Sequence, residues 1–230
     1  MKFLKIIKKV YIWVYIYKYC YKEIRKIKQR EDDYMNEKQL AKINKFESKR
    51  RIEELDIAGI LKAAGFSDNM TLADIGSGTG LLVLEAQKYA NSKIYSVEMS
   101  DTMIEIQKER IEEEKIKNIE IIEQNVDNSR INLDNQSCDV VTMITVFHEI
   151  DNKDSFVKEI DRILKPDGKF LVIEFHKKET GFGPPLDERL SSEDITEVCS
   201  KVGFEIIDNT VLGDNFYRVI IEKTNKNGIK

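Results

Sequence analysis

The hydrophobic residues of the chain fall into short continuous runs that alternate with stretches of helical periodicity. Such runs are typical of buried strands, and apolar residues three and four positions apart are typical of helices packed on a sheet. The predicted strands cover residues 72–75, 93–97, 119–123, 138–144 and 170–175, and the predicted helices between them cover about 81–90, 101–118 and 153–164. Alternation at this rhythm predicts a doubly wound α/β fold with a mostly parallel sheet.

The pattern changes toward both ends of the chain. Residues from about 37 to 64 are predicted as helix that stops at Gly65, since glycine often follows the last helical residue. After a helix at 192–202, two strand patterns at 204–211 and 215–222 flank a Gly-Asp pair. A short turn of this kind joins antiparallel strands, so the sheet is expected to finish with a hairpin.

Length and composition indicate one main domain with an appendage. A chain of 230 residues with 41% hydrophobic residues can bury one substantial core. We expect a basic, aromatic N-terminal segment at 1–34, a helical cap at 35–69 and the main domain at 70–230.

The first thirty residues are unusual, because they carry eight Lys and two Arg against a single Glu. Their longest apolar stretch, residues 10–17, is too short to cross a bilayer, which takes about 20 residues. One interpretation is a helix lying on an anionic membrane surface with Trp13 at the interface, which would give residues 1–30 peripheral membrane contact. The other is that this Lys- and Ile-rich sequence is translated noncoding DNA and that synthesis begins at Met35. Both interpretations stay open.

The rest of the chain is acidic, since the whole carries a formal charge of −4 despite that basic start. An acidic body disfavours nucleic acid as a partner, so a small-molecule substrate is expected. The three cysteines, Cys20, Cys138 and Cys199, form no C-x-x-C pair, and the chain has only two histidines. This pattern signals no disulfide framework and no metal site, and it predicts a reducing, cytoplasmic compartment.

Residues Gly76 to Gly80, between the first predicted strand and the next helix, alternate glycine with Ser77 and Thr79. Glycines at every second position remove the β-carbons that keep a ligand off the backbone, and the first helical turn offers free N–H groups. Glu98 ends the second predicted strand. In a doubly wound sheet this position faces the same crevice, where a carboxylate accepts hydrogen bonds from both ribose hydroxyls. These features predict a nucleoside-cofactor site.

Six sequence blocks match one known pattern: ADIGSGTG at 73–80, VEMS at 97–100, CDVV at 138–141, FHE at 147–149, RILKPDG at 162–168 and GPPLDER at 183–189. The combination resembles the class I S-adenosylmethionine-dependent methyltransferases, especially the ubiquinone/menaquinone-biosynthesis type and related small-molecule enzymes. The resemblance implies a Rossmann-like fold with a seven-stranded sheet and an antiparallel C-terminal hairpin. It also implies S-adenosyl-L-methionine as cofactor and methyl transfer to a small, apolar or aromatic acceptor.

The residues implied to contact the cofactor lie at the ends of the first four strands and are Asp74, Gly76, Ser77, Gly78, Thr79, Gly80, Glu98, Met99, Asn125, Val126 and Thr145. By this resemblance the glycine turn and Asp74 hold the methionyl portion and its ammonium group, and Glu98 holds the ribose. Met99, Asn125 and Val126 are expected beside the adenine, where Asn125 departs from the commoner Asp. Thr145 is expected near the sulfonium. For Met99 and Thr145 the alternative is an ordinary place in the core.

His148 and Glu149 follow the fourth strand, at the edge where ligands bind in open α/β sheets. A histidine has an unperturbed pKa near neutrality, so His148 is a candidate general base. The alternative is a structural histidine at the strand end. Glu149 either orients His148 or is an ordinary solvated carboxylate.

His176 ends the fifth strand and enters a loop, residues 177–189, that contains two glycines and two prolines. One interpretation is a lid over the substrate, in which His176 faces the substrate and Arg189 binds an anionic group. The other is a rigid surface crossing in which Arg189 pairs with Glu188 or Asp187. Both interpretations stay open.

Two other functions are compatible with a glycine turn followed by a ribose acid. A nicotinamide-dependent oxidoreductase uses the spacing G-x-G-x-x-G, whereas here only Thr79 separates Gly78 from Gly80. A protein that keeps the fold for binding alone would not need an intact cofactor turn.

Overall fold

A computed structural model describes residues 37–127 and 130–223. The chain divides into two compact units, Met1–Lys42 and Ile43–Lys230. In the first unit the described residues, 37–42, are helical. The expectations for residues 1–34, on membrane contact and on the start of synthesis, lie outside the described residues. The fold below is that of the second unit.

The main unit is built on a seven-stranded sheet with strand order β3-β2-β1-β4-β5-β7-β6. The strands are β1 Leu72–Ile75, β2 Ile94–Glu98, β3 Ile119–Glu123, β4 Cys138–Ile144, β5 Leu164–Phe175, β6 Phe204–Leu212 and β7 Phe216–Lys223. Strands β1 to β5 pair in parallel, and β7 pairs antiparallel with both β5 and β6. The predicted parallel α/β sheet with a terminal antiparallel hairpin is confirmed.

Of the six helices described in full, two precede the sheet, three connect its parallel strands, and one leads into the terminal hairpin. They are α1 Lys49–Leu55, α2 Ile57–Ala64, α3 Leu81–Ala86, α4 Asp101–Glu113, α5 Lys153–Ile163 and α6 Ser192–Ser200, with 3-10 turns at Phe147–Glu149 and Leu186–Glu188. In the described part of the chain, no helix has the length and apolar character needed to cross a membrane.

The prediction of one continuous helix over residues 37–64 is wrong. Residues 37–46 are helical, and α1 and α2 follow as separate helices. The break between α1 and α2 lies at Asp56, whose φ of 47° is left-handed and whose Oδ1 accepts a hydrogen bond from the N–H of Gly59. An aspartate can both tolerate this conformation and cap the next helix, so it interrupts a continuous apolar pattern.

Strand β5 is longer than the run predicted at 170–175. It begins at Leu164, directly after α5, and its pairing with β4 contains a register shift between Cys138 and Val140. Asp167 has a φ of 60° within this irregular stretch. The Lys-Pro-Asp-Gly sequence that stops α5 therefore forms a bulge at the start of the strand.

The two faces of the sheet each carry a hydrophobic core. Successive residues of β5 alternate between them, with Phe170 and Val172 in one core and Leu171 and Ile173 in the other. Side chains on both faces are therefore buried, which explains why the central strands read as continuous apolar runs. The carboxyl edge of the parallel strands is therefore where a ligand is expected.

Phe147 anchors the turn at this edge that carries His148. Its side chain is fully buried, and its ring centroid lies 6.1 Å from that of Phe156 and 6.2 Å from that of Phe170. We expect Phe147→Ala to lower the free energy of unfolding by about 3–5 kcal/mol, because it removes these contacts and leaves a cavity. Urea denaturation measures the loss.

The exposed Leu186 serves as the control for that variant. Its side chain lies on the surface, so Leu186→Ala should change the free energy of unfolding by no more than about 0.5 kcal/mol. Equal effects of the two substitutions would contradict the anchoring role of Phe147.

Candidate functional site

The glycine turn after β1 leaves its backbone bare on one side. Gly76 and Gly78 have φ values of 69° and 56°, a left-handed conformation that side chains rarely adopt. A β-carbon on Gly76 would lie 2.7 Å from the Val146 side chain, whereas one on Gly78 would have no atom within 4 Å. Gly76 is therefore required by packing, and Gly78 faces open space in which a ligand can approach the backbone.

The carboxylate of Glu98 is held against this turn. Its Oε2 accepts a hydrogen bond of 2.8 Å from the N–H of Gly78, and its Oε1 accepts bonds of 2.9 Å from the N–H groups of Met99 and Ser100. The side chain is largely buried. Glu98 therefore lies in the crevice beside the glycine turn, at the predicted place, with its orientation fixed by three backbone groups.

Asp74 is a second carboxylate at the turn, buried at the end of β1. Its Oδ1 accepts a hydrogen bond of 2.6 Å from Thr142 on β4. The pKa of Asp74 is raised to about 7, mainly by burial; the Thr142 hydrogen bond opposes this rise, and the charge of Glu98 makes a smaller contribution to it. Two acids this close favour a positively charged ligand, because a cation would relieve their mutual repulsion.

A buried polar network lies behind the turn, and sequence reasoning missed it. The Nε2 of Gln107, on α4, donates to the carbonyl of Gly78 at 2.7 Å and to the hydroxyl of Ser77 at 2.9 Å. Ser96 of β2 completes the network with contacts of 2.5 Å to Ser77 and to Gln107 Oε1. Tying the turn's carbonyl inward fixes its conformation. The available signal was a glutamine on the buried face of α4, next to Met103, Ile104 and Ile106.

The residues expected beside the adenine lie next to Glu98 along the sheet edge. Gln124, which follows β3, donates its backbone N–H to the Glu98 carbonyl at 2.9 Å. Asn125 and Val126 come directly after it, the first exposed and the second half-buried. Met99 is also exposed. All three residues follow the carboxyl ends of β2 and β3, and contact of their side chains with an adenine ring stays a prediction.

Thr145 follows β4 in a strained conformation. Its φ is 55°, which is an outlier for a β-branched residue. Two hydrogen bonds hold it there, one of 2.7 Å from its N–H to the Ile173 carbonyl and one of 2.9 Å from Arg51 Nη2 to its Oγ1. Strain of this kind concentrates at ligand sites.

His148 forms a buried pair with Glu174 of β5. The ring Nδ1 lies 2.8 Å from Glu174 Oε2, and Glu174 Oε1 accepts from the backbone N–H of His148 at 3.1 Å. Burial tends to lower the pKa of His148, but the hydrogen bond to Glu174 and its charge outweigh burial and raise it. A carboxylate only accepts, so the neutral ring carries its proton on Nδ1 and leaves Nε2 as the basic atom.

Glu174, not Glu149, orients the histidine. The Glu149 side chain is 69% exposed, and its Oε1 is 3.9 Å from His148 Nε2, beyond hydrogen-bond distance. The expectation that Glu149 orients His148 is therefore corrected, and its alternative, a solvated carboxylate, fits the exposure. The signal for Glu174 was a single charged residue inside the apolar run of β5.

The loop after β5 is held by Arg189 from inside. The guanidinium is buried and donates to the backbone carbonyls of Pro184, His176, Lys178 and Phe182 at 2.6–3.2 Å. Four of its five N–H groups are used within the loop. The expected role of Arg189 in binding a substrate anion is therefore corrected, because these N–H groups already stabilise the loop. The alternative pairing with Glu188 or Asp187 is corrected as well, because the partners are backbone carbonyls.

His176 lies at the base of the same loop. Its ring packs at 5.6 Å from that of Tyr217, and its Nε2 is buried with no hydrogen-bond partner among the described residues. Burial lowers the pKa of His176, and the charge of Lys178 lowers it further. Both effects favour the neutral ring. A contact between His176 and substrate stays a prediction.

Comparison with known proteins supports a common origin for this site. A family model described as "Methyltransferase domain" matches residues 66–224. The ubiquinone/menaquinone biosynthesis C-methyltransferase UbiE of Shewanella sediminis is 25% identical over 122 residues, which cover 52% of this chain and 48% of that protein. The chain thus spans about half the length of that relative.

Solved structures share the fold. A SAM-dependent methyltransferase from Aquifex aeolicus superposes with a TM-score of 0.72 at 25% identity, over 79% of this chain and 97% of that one. Phosphoethanolamine N-methyltransferase 2 of Haemonchus contortus, in complex with phosphomonomethylethanolamine and S-adenosylhomocysteine, has a TM-score of 0.62 at 17% identity, over 74% of this chain and 53% of that one. The second likeness bears on the fold alone.

The matched family region contains the glycine turn, Glu98 and the complete seven-stranded sheet, and it covers well over half of the chain. The chain therefore belongs to the methyltransferase-domain family, as a class I S-adenosylmethionine-dependent methyltransferase with S-adenosyl-L-methionine as its cofactor.

Proposed function

We propose that the protein transfers the methyl group of S-adenosyl-L-methionine to a small, apolar or aromatic acceptor. The observation that supports this most directly is the open backbone at Gly78 beside the fixed carboxylate of Glu98. A side chain at position 78 would fill the space that a bound nucleoside needs, and none is present. The residues fit the cofactor that the family uses.

Each part of the cofactor meets a suitable group in this proposal. The turn from Gly76 to Gly80 cradles the methionyl portion, Asp74 attracts its ammonium group, and Glu98 accepts hydrogen bonds from the ribose hydroxyls. Met99, Asn125 and Val126 border the adenine, and Thr145 lies near the sulfonium. Asp74 and Glu98 both suit a cationic ligand, which favours the sulfonium cofactor over the anionic pyrophosphate of NAD.

Bound in this cradle, the cofactor supplies an electrophilic methyl group on sulfur. The residues of the chain then need to align the acceptor, exclude water and remove a proton from the attacking atom. We assign proton removal to Nε2 of His148, since Glu174 fixes the ring and increases its basicity. Only a methyl acceptor that loses a proton, such as a hydroxyl or an activated carbon, would need this base.

The acceptor side of the site supports an apolar or aromatic substrate. Where β5 ends and β7 begins, Phe175 and Phe216 are buried in the hydrophobic core, and the half-buried Phe182 packs on them with ring centroids 5.7 and 6.1 Å away. The relative named above acts in ubiquinone and menaquinone biosynthesis by its name, which agrees with a ring acceptor. Cytoplasmic location and peripheral membrane contact through residues 1–30 remain part of the proposal.

Labelled methyl donor tests the activity. Protein incubated with S-adenosyl-L-[methyl-³H]methionine and a whole-cell extract should transfer label to a small molecule that mass spectrometry identifies. The Gly78→Val variant is the control and should transfer none. Label in a macromolecular fraction alone would contradict a small acceptor.

We expect Gly78→Val to abolish binding of S-adenosylhomocysteine and Glu98→Ala to weaken it about ten- to a hundredfold, the value of hydrogen bonds to a charged acceptor. The valine fills the open side of the turn and strains its backbone, and the alanine removes the ribose acceptor. Isothermal titration calorimetry measures both affinities, and NAD is titrated in parallel.

Glu123 provides a matched control for Glu98. It pairs in register with Glu98 at the end of the neighbouring strand, is exposed and binds Lys108 at 2.6 Å. Glu123→Ala should leave the affinity for S-adenosylhomocysteine unchanged. Thermal melting identifies any variant that has not folded. If Glu98→Ala is unfolded, Glu98→Gln takes its place, because the glutamine keeps an oxygen that can accept from the backbone N–H groups. Unaltered binding in both site variants, or tight NAD binding instead, would refute the site.

The two histidines should titrate on opposite sides of the ordinary value of about 6.5, because Glu174 raises the pKa of His148 and burial lowers that of His176. NMR of the imidazole protons measures both, and His148→Asn assigns the signals. Glu174→Gln removes the cause that raises the pKa, so the His148 midpoint should move to lower pH.

Glu149→Gln is the control, because this exposed residue makes only a smaller charge contribution to His148. It should move the midpoint far less than Glu174→Gln does. Once an acceptor is known, the acid limb of its kcat/KM profile should follow the His148 midpoint in each variant. A larger shift from Glu149→Gln would show that Glu174 does not set the basicity of the ring.

A further inference from the structure

Arg51 of α1 is a buried cation at the same edge of the sheet. Its side chain is 8% exposed, a burial unusual for arginine. The guanidinium lies over the ring of Phe216 at 5.3 Å and the ring of Phe46 at 5.8 Å, and its one hydrogen bond to a described residue runs from Nη2 to Thr145 Oγ1. Aromatic faces and one hydroxyl are weak compensation for a charge removed from water.

No carboxylate neutralises this charge within the described residues. None of their Asp or Glu oxygens lies within 4.0 Å of the guanidinium. Glu174 acts on Arg51 through its charge, but both of its oxygens are bonded to His148. Burial lowers the pKa of Arg51 to about 10, so the side chain remains cationic at neutral pH. A buried cation without an ion pair is costly and calls for an anion.

The unused N–H groups of Arg51 are open to solvent. Among the described residues, the side-chain nitrogen or oxygen that is fully buried and lacks a hydrogen-bond partner is His176 Nε2. The guanidinium nitrogens of Arg51 that make no hydrogen bond are therefore not fully buried. The planar fork of an arginine matches a carboxylate, which accepts two parallel hydrogen bonds.

The position of Arg51 separates it from the glycine turn. Thr145 follows β4, and Phe216 begins β7, where it pairs in register with Phe175 of β5. In the strand order the glycine turn of β1 lies on the opposite side of β4. Arg51 therefore belongs to the half of the edge that contains His148 and Glu174, the half assigned above to the acceptor.

We propose that Arg51 and Thr145 form a binding site for a carboxylate group of the methyl acceptor. This inference rests on the proposed function and narrows the acceptor to an anionic molecule, with its carboxylate at Arg51 and its reacting atom toward the cofactor. The half-buried ring of Phe46, which faces the Arg51 guanidinium at 5.8 Å, suits an aryl or alkyl body next to the carboxylate.

Binding of 4-fluorobenzoate to the protein saturated with S-adenosylhomocysteine tests the site, with ¹⁹F NMR as the readout. The neutral isostere 4-fluorobenzamide is the matched ligand. We expect wild type to prefer the benzoate, and Arg51→Met to weaken benzoate binding at least about thirtyfold with little effect on the amide, since the buried charge partner is lost. Arg51→Lys should retain part of the affinity, because it keeps the charge without the fork.

Arg50 is the control on the same helix. It is exposed, pairs with Glu54 and lies over the ring of Phe182 at 5.7 Å. Arg50→Met should bind 4-fluorobenzoate as wild type does. Thr145→Val tests the site without removing the charge and should cause a smaller loss, which keeps the inference testable if Arg51→Met is unfolded by thermal melting.

Cofactor affinity separates this inference from the proposed function and from the cofactor's own carboxylate. S-adenosylhomocysteine and 5′-methylthioadenosine, which lacks the amino-acid portion, should each bind Arg51→Met as they bind wild type. A loss confined to S-adenosylhomocysteine would place the cofactor carboxylate at Arg51 and overturn the inference. If wild type binds the cofactor but does not bind 4-fluorobenzoate, or binds the amide equally well, the carboxylate site is overturned. If wild type does not bind the cofactor at all, the proposed function is refuted.

Discussion

The hydrogen bond from the Gly78 N–H to the Glu98 carboxylate is the contact on which the site depends. It joins the turn after β1 to the end of β2, and it is possible because the two strands pair in parallel with Asp74 opposite Ser96. Residues two apart on a strand share a face, so Ser96 and Glu98 point to the same side. Ser96 there supports the turn from below through Ser77 and Gln107, while Glu98 holds it from the side. The register of two short strands thus sets the shape of the cradle.

Charges divide the carboxyl edge into two halves. On the β1–β2 side lie the carboxyl groups of Asp74 and Glu98, and burial together with the charge of Glu98 raises the pKa of Asp74. On the β4–β5 side lie Arg51 and the His148–Glu174 pair. A cationic cofactor on one half and an anionic acceptor on the other would satisfy both fields. In that arrangement each ligand carries the charge opposite to that of the protein groups beside it.

Sequence patterns predicted the elements that depend on neighbouring residues and missed those that depend on distant ones. Apolar runs and residue spacings of a few positions predict the β strands, the terminal hairpin and the glycine turn. The His148–Glu174 contact spans 26 positions and the Arg51–Thr145 contact spans 94, so no local pattern contains them. Glu149 was a plausible partner for His148 because it is adjacent in sequence, but adjacency on a 3-10 turn directs it to solvent. One local feature was also missed, the helix break at Asp56, because a capping aspartate can end one helix and begin the next without interrupting the apolar pattern.

The same distinction explains why the cofactor is identified more readily than the acceptor. The cofactor half consists of one backbone turn and two acids on adjacent strands, so a short sequence determines its shape and its chemistry. The acceptor half combines α1, the turn after β4, the end of β5 and the start of β7, and each contributes a single side chain. Arg51 and Thr145 belong to neither hydrophobic core, so a change at either one leaves the packing of the sheet in place. A family can therefore keep one cofactor and diversify its substrates, and the identity of the acceptor depends on single residues such as Arg51.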